Sequence, residues 1–132
     1  METAALRALC DRAYETRLNE TGKYTKRVRV GQVVYVRSGP GRGPYIATIR
    51  RVRHGVARMR WFYRPDDIPA SVTIGYMPAE TELFISADCD DNETGLIIGT
   101  CDVGSVETGT GYFCRAAFTG TAVVTLPDWK DA

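Results

Sequence analysis

Residues 43–65 of this chain read GPYIATIRRVRHGVARMRWFYRP. The pair His54-Gly55 is typical of a tight turn, and residues that favour β-strands stand on both sides of it. The segment therefore predicts a hairpin, in which a strand over 45–52 returns as a strand over 56–63. Pro65 ends the second strand, because proline cannot donate a hydrogen bond to a neighbouring strand.

Three electron-rich aromatic residues of this hairpin are predicted to share one face. Trp61 and Tyr63 are two residues apart, so their side chains leave a strand on the same side, while Phe62 points toward the core. Tyr45 joins them from the neighbouring strand. Three such rings can form a cage for a quaternary ammonium group, worth about 0.5–2 kcal/mol per cation–π contact. The pattern indicates binding of methylated lysine; the alternative is that aromatic residues merely favour strand positions.

The rest of the chain also favours strands, divided by turns. A period of two begins at Lys26, and further strands are predicted over 82–86, 96–98, 112–118 and 122–126. Loops are predicted at 38–44, 70–80 and 105–111, and residues 87–92 are predicted to form an acidic loop. Many short strands separated by turns predict an all-β, barrel-like fold with short peripheral helices.

The N-terminal segment differs from the rest, because its apolar residues follow a helical period. An amphipathic helix is predicted over residues 3–19, with Gly22 where the helix would stop. We therefore divide the chain into an N-terminal helical flank over 1–25, a domain over 26–127 and a C-terminal tail over 128–132. The helix is expected to pack on the domain or to dock on a partner.

Composition excludes some classes of function. The chain has 132 residues, 44% of them hydrophobic and 25% charged, which is ordinary for one soluble globular domain. No run approaches the ~18 apolar residues that span a bilayer, so no membrane partner is expected. The four cysteines contain no Cys-x-x-Cys pair, which argues against a zinc site and favours buried free thiols. No metal or cofactor is expected.

Charge is distributed unevenly along the chain. Residues 1–64 carry a net charge of +11 and residues 65–132 carry −10, for a total of +1. This asymmetry indicates a basic face and an acidic face, unless the folded elements interleave and neutralise one another. In the hairpin, Arg50, Arg51 and Arg53 are candidate nucleic-acid contacts, since arginines that meet DNA phosphates bind without sequence specificity. The alternative is a solvated hairpin.

Six pieces of the chain resemble the bromo-adjacent homology (BAH) domain family. They occur in the family's order and at similar spacings between Val30 and Phe118, roughly two thirds of the chain, and they are residues 30–37, 44–49, 60–65, 82–86, 97–101 and 112–115. The resemblance implies a distorted β-barrel core. It also implies a nuclear chromatin protein rather than an enzyme, with a histone tail or a nucleosome as partner and a larger parent protein or complex.

The resemblance also assigns candidate site residues. In the BAH domains that read methyl-lysine, the cage aromatics correspond to Tyr45, Trp61 and Tyr63. Readers of trimethylated lysine 27 of histone H3 carry a histidine and then an aspartate after the piece that ends at Ser86. Here Asp88 replaces the histidine and Asp90 matches the aspartate, and both are expected to help hold the histone tail.

The sequence therefore predicts a reader of trimethylated lysine on the histone H3 tail, with lysine 27 as first choice. Two alternatives remain open, namely a nucleosome- or DNA-binding BAH module that ignores methylation and a scaffold domain that binds another protein. No catalytic residues are predicted. His54 has no serine or cysteine partner in a recognisable motif, and the glycines of 39–43 lack the Gly-Lys-Ser/Thr ending of a phosphate loop.

Overall fold

The predicted all-β fold is confirmed by the computed structural model, which describes residues 15–16 and 26–132. A short pair of strands precedes the main sheet, in which seven strands follow one another in the order β10-β9-β6-β5-β4-β3-β7 and β8 pairs with β9. The strands are β1 (Glu15–Thr16), β2 (Lys26–Arg27), β3 (Val33–Val36), β4 (Tyr45–Arg53), β5 (Val56–Tyr63), β6 (Glu82–Glu93), β7 (Ile97–Thr100), β8 (Val103–Gly104), β9 (Tyr112–Phe118) and β10 (Val123–Thr125).

The helical additions are short, and the sheet does not close. Three 3-10 turns are formed by Pro65–Asp67, Thr94–Leu96 and Trp129–Asp131. Strands β7 and β10 lie at the two ends of the sheet order, so the barrel-like core is an open sheet. In the described part of the chain, no helix has the length and apolar character needed to cross a membrane.

The predicted hairpin is confirmed and forms the centre of the sheet. Strands β4 and β5 pair antiparallel, with Ala47 opposite Trp61. His54 and Gly55 both have positive φ, as the turns that suit a two-residue hairpin require. Side chains alternate between two apolar clusters: Ala47 and Met59 belong to one cluster, with Trp61 packed against it, whereas Phe62 belongs to the other. Phe62 thus points into a core, as predicted.

The prediction of an acidic loop over 87–92 is wrong, because these residues continue strand β6. That strand runs from Glu82 to Glu93, and its second half pairs with β5, including Met59 opposite Asp90. Aspartate and asparagine are poor strand formers, so their local preference favours a loop. Pairing with the long edge of β5 overrides that preference.

At the two ends of the chain, the structure describes a short strand pair and a buried tryptophan. Of the predicted helix over 3–19, the structure describes Glu15–Thr16, and these form a strand with Lys26–Arg27; the other residues of that helix lie outside the described part. At the C-terminus, Trp129 is buried and packs edge-on against Phe62, with 5.0 Å between the ring centroids. The segment 128–132 therefore contributes to the core through this residue.

Candidate functional site

The three predicted aromatic residues line one surface pocket at the open end of the hairpin. Tyr45 begins β4 and Tyr63 ends β5, and together with Trp61 they border a pocket of about 430 Å³. The rings of Tyr45 and Trp61 meet nearly at right angles, at 70°, with 5.7 Å between centroids. The ring of Tyr63 packs on Phe118 at 5.4 Å. Tyr45 and Trp61 are thus adjoining walls, whereas Tyr63 borders the pocket while it packs on Phe118, and Tyr45 keeps 45% of its surface exposed.

Asp88 and Asp90 also lie at this site, and each accepts a hydrogen bond from one of the aromatic side chains. The indole Nε1 of Trp61 donates to Asp90 at 3.0 Å. The hydroxyl of Tyr63 donates to Asp88 in a short hydrogen bond. The two aspartates therefore orient two of the rings and also bring negative charge beside them.

A β-bulge in β6 places these aspartates, and Ser86 holds the bulge. The register between β5 and β6 shifts between Arg60 and Phe62. At that point the buried hydroxyl of Ser86 donates to the carbonyl of Trp61 at 2.8 Å and accepts from the backbone N–H of Asp88 at 3.1 Å. Bulges commonly re-aim side chains next to functional sites. Ser86 thus connects both strands of the site.

Asp67 is a site residue that the sequence reasoning missed. It lies in the 3-10 turn after β5 and borders the same pocket. One carboxylate oxygen accepts the backbone N–H of Arg64 at 2.9 Å, which orients the side chain. A signal was present in Arg64-Pro65-Asp66-Asp67, because proline at the first position of a turn with an acid two residues later is typical of a capped helical start.

The electrostatics of the pocket favour a cation. The hydrogen bond to Asp88, desolvation and the charges of Asp88, Asp67 and Asp90 raise the pKa of Tyr63 to about 12. Tyr63 is therefore neutral at physiological pH, while the aspartates around it are the negative groups. Within the described residues, cation–π contacts are made to Tyr76, Tyr112, Phe113 and Trp129, and none is made to the three rings of the pocket.

The three candidate arginines lie away from this pocket. Arg51 and Arg53 are exposed near the hairpin turn, where they border a separate cleft together with Arg58. Arg50 borders a second cleft with Arg60 and Lys130. Arg60, Phe62 and Arg58 leave β5 on the side opposite to Trp61. The arginines and the aromatic pocket therefore occupy opposite faces of the hairpin.

The described residues contain no group of three or more His, Cys, Asp or Glu side chains that could hold a metal ion. The described cysteines are free thiols, of which Cys101 and Cys114 are buried and Cys89 is partly exposed. Burial raises the pKa of Cys114 to about 11, which makes it a poor nucleophile. Cys10 lies outside the described residues.

Comparison with known proteins agrees with this architecture. The BAH domain family model matches residues 26–116. The chain is 28% identical over 121 residues to the chromatin remodeling protein SHL of Arabidopsis thaliana, covering 78% of this chain and 51% of that protein. It therefore spans about half of that relative.

A solved structure gives the same fold. The yeast Rsc2 BAH domain superposes with a TM-score of 0.64 at 15% identity, covering 83% of this chain and 53% of that one. At this identity the likeness concerns the fold alone. The family match spans more than half of the chain and includes the hairpin and β6, the elements that build the pocket. The chain belongs to the BAH domain family.

Proposed function

We propose that this chain is a nuclear chromatin reader that binds a trimethylated lysine of the histone H3 tail. The observation that supports the proposal is the pocket itself: Tyr45, Trp61 and Tyr63 line one opening together with Asp67 and Asp90. Such a site suits an organic cation, because aromatic faces attract positive charge and nearby carboxylates add to that attraction.

The chemistry of the pocket also supports selection for methylation. A trimethylammonium group has no N–H donor, so it enters an aromatic site without losing hydrogen bonds. Unmethylated lysine is strongly hydrated and would lose that hydration against ring faces. Trp61 supplies the strongest cation–π surface of the three, and its hydrogen bond to Asp90 holds the indole in place.

The particular mark is proposed from the resemblance alone, because the three aromatic residues are most like those of the lysine 27 readers. Lysine 27, a repressive mark, is our first choice, which connects the chain to gene silencing. Asp88 stands where those readers carry histidine, but its carboxylate is engaged by the hydroxyl of Tyr63. We assign Asp88 to orienting Tyr63 and Asp90 to orienting Trp61, while both attract the basic tail. An extended tail would add backbone hydrogen bonds.

The function proposed is recognition without catalysis and without a cofactor. The relative SHL is named as a chromatin remodeling protein and is about twice as long as the part matched here. We propose accordingly that the domain works within a larger chromatin protein or complex, where it directs that assembly to nucleosomes carrying the mark.

The test is calorimetric titration with H3 and H4 peptides that carry zero to three methyl groups at each common lysine. We expect one trimethylated peptide to bind, and Trp61→Ala to weaken it by on the order of tenfold or more, since a cation–π interaction contributes about 0.5–2 kcal/mol and the packing of the indole on the methyl groups is removed as well. Trp61→Phe should retain part of the affinity.

Two controls separate binding from folding. Met77 is 89% exposed and does not border the pocket, so Met77→Ala should bind as the wild type does. Circular dichroism establishes that each variant is folded. A folded wild-type protein that binds no peptide in a methyl-dependent way would contradict the proposal.

A further inference from the structure

The outer face of the hairpin carries a concentration of arginines that the aromatic pocket does not use. A register shift between Ile49 and Arg51 leaves Arg50 as the extra residue of β4, so that Arg51 lies opposite Arg58 and Arg53 lies opposite Val56. Regular alternation would place Arg50 and Arg51 on opposite faces. The bulge instead lets both residues join the face of Arg58 and Arg60.

The charge of this arginine face is only partly balanced. Arg58 forms an ion pair with Asp91 at 3.2 Å, and both side chains are about half exposed. For Arg51 and Arg53, no ion pair or side-chain hydrogen bond is found within the part of the chain that the structure describes. Arg51 lies opposite Arg58, and the ion pair of Arg58 with Asp91 offsets part of the repulsion between these like charges, so the unbalanced charge of the face lies at Arg51 and Arg53.

We propose that the arginine face of the hairpin, centred on Arg51, Arg53 and Arg58, binds the phosphates of duplex DNA. Residues two apart on a strand are about 6.6 Å apart, so the side chains of Arg51 and Arg53 can reach successive positions along a regularly charged backbone. Guanidinium groups bind phosphate oxygens through paired hydrogen bonds. These residues line a concave cleft of about 240 Å³ together with Asp91, which is paired with Arg58, so a phosphate in the cleft would be bound chiefly by Arg51 and Arg53.

DNA and a peptide can bind at the same time. The aromatic pocket lies on the other face, and the seven steps of β5 from Val56 to Tyr63 span about 23 Å. A nucleosome presents both ligands together, so two modest contacts would reinforce each other. The DNA contact does not depend on methyl-lysine binding, and either one can fail alone.

The test is fluorescence anisotropy with a duplex of about 20 base pairs of arbitrary sequence over a salt series. Removing one interaction with a phosphate reduces the magnitude of the slope of log K against log salt by about 0.9. We expect Arg51→Gln combined with Arg53→Gln to reduce the slope by about 2 and to weaken binding by on the order of tenfold at ~0.1 M salt.

Matched variants show whether DNA binds at the arginine face or responds only to the overall charge of the protein. Arg37 is exposed and lies outside both arginine clefts, so Arg37→Gln should leave the slope unchanged. Trp61→Ala should also leave DNA binding unchanged. A wild type that fails to bind duplex at ~50 mM salt, an unaltered slope in the double variant, or equally tight and equally arginine-dependent binding of polyglutamate would each overturn the proposal.

Discussion

Two regions of this molecule combine aromatic rings with carboxylates, and they differ in whether the protein supplies the cation. In one, which we call the closed cluster, Arg115 pairs with the fully buried Glu82 through two hydrogen bonds at 2.9 and 3.0 Å and lies 4.0 Å over the ring of Tyr76. The Tyr76 hydroxyl also donates to Glu82 at 2.6 Å. The cation, the ring and the carboxylate of this cluster are thus all supplied by the protein itself.

The other region is the aromatic pocket, where Asp67, Asp88 and Asp90 are all exposed. Asp88 and Asp90 accept hydrogen bonds from the tyrosine and the indole of the pocket, and none of the cation–π contacts among the described residues reaches its rings. The closed cluster therefore stabilises the fold. In the pocket, the aromatic rings and carboxylates are free to contact a cation from another molecule. Three changes test this difference.

The largest effect is expected from removing the cation of the closed cluster. Arg115→Met leaves the fully buried carboxylate of Glu82 without its charged partner; because the Arg115 side chain is itself 41% exposed, we expect a loss of about 2 kcal/mol of unfolding free energy, less than for a fully buried pair. Urea denaturation measures the loss. Asp90→Asn, at the exposed pocket, should cost less than about 1 kcal/mol. Equal losses in the two variants would mean that the clusters do not differ as described.

A second change supplies the pocket with an internal cation. In Asp67→Arg, the new guanidinium can lie over Trp61 or Tyr63 as Arg115 lies over Tyr76, so we expect methylated-peptide affinity to fall by on the order of tenfold. Stability should change by about 1 kcal/mol, because the carboxylate that accepts the backbone N–H of Arg64 is removed.

The neighbouring residue offers a matched control for that change. Asp66 is also exposed but does not border the pocket, and Asp66→Arg alters the net charge equally. Calorimetry should therefore give a much smaller loss of affinity for Asp66→Arg. If both variants lose the same affinity, the effect comes from overall charge, and occupation of the pocket by an internal cation is refuted.

The smallest effect concerns proton binding at Tyr63. Its pKa is raised to about 12, chiefly by the hydrogen bond to Asp88, so Asp88→Asn should lower that pKa toward the ordinary value of 10. Asp88 raises this pKa because an ionised Tyr63 would lose the hydrogen bond that it donates and would face a carboxylate. The stability from this hydrogen bond is complete below pH 10 and declines as the pH rises through about 12.

Absorbance of tyrosinate against pH measures this shift, and Tyr63→Phe assigns the signal. The pKa of Tyr76 is also raised to about 12, first by desolvation and then by its hydrogen bond to Glu82. It belongs to the closed cluster, so its titration should not move in Asp88→Asn. An unchanged Tyr63 titration in that variant would remove Asp88 from its orienting role.

Local sequence signals predicted the hairpin and the shared face of its aromatic rings. His54-Gly55 supplied the turn, and the two-residue spacing of Trp61 and Tyr63 placed both on one side of β5. The composition of residues 87–92 favours a loop, because aspartate and asparagine are poor strand formers. Their strand pairing with β5 depends on residues some thirty positions away, such as Arg58 opposite Asp91, which no local preference encodes.

What the sequence alone determined is therefore the all-β class, the BAH resemblance and the identity of the three aromatic residues. These depend on alternation and on turn chemistry, which are local. Only the tertiary structure decided that Asp88 and Asp90 hold two of those rings, that Asp67 borders the pocket and that Arg50 and Arg51 share a face. Each of these features depends on a register shift between strands or on a turn that folds back toward the pocket. A register shift gives side chains new neighbours, and the amino-acid composition of a strand does not reveal it.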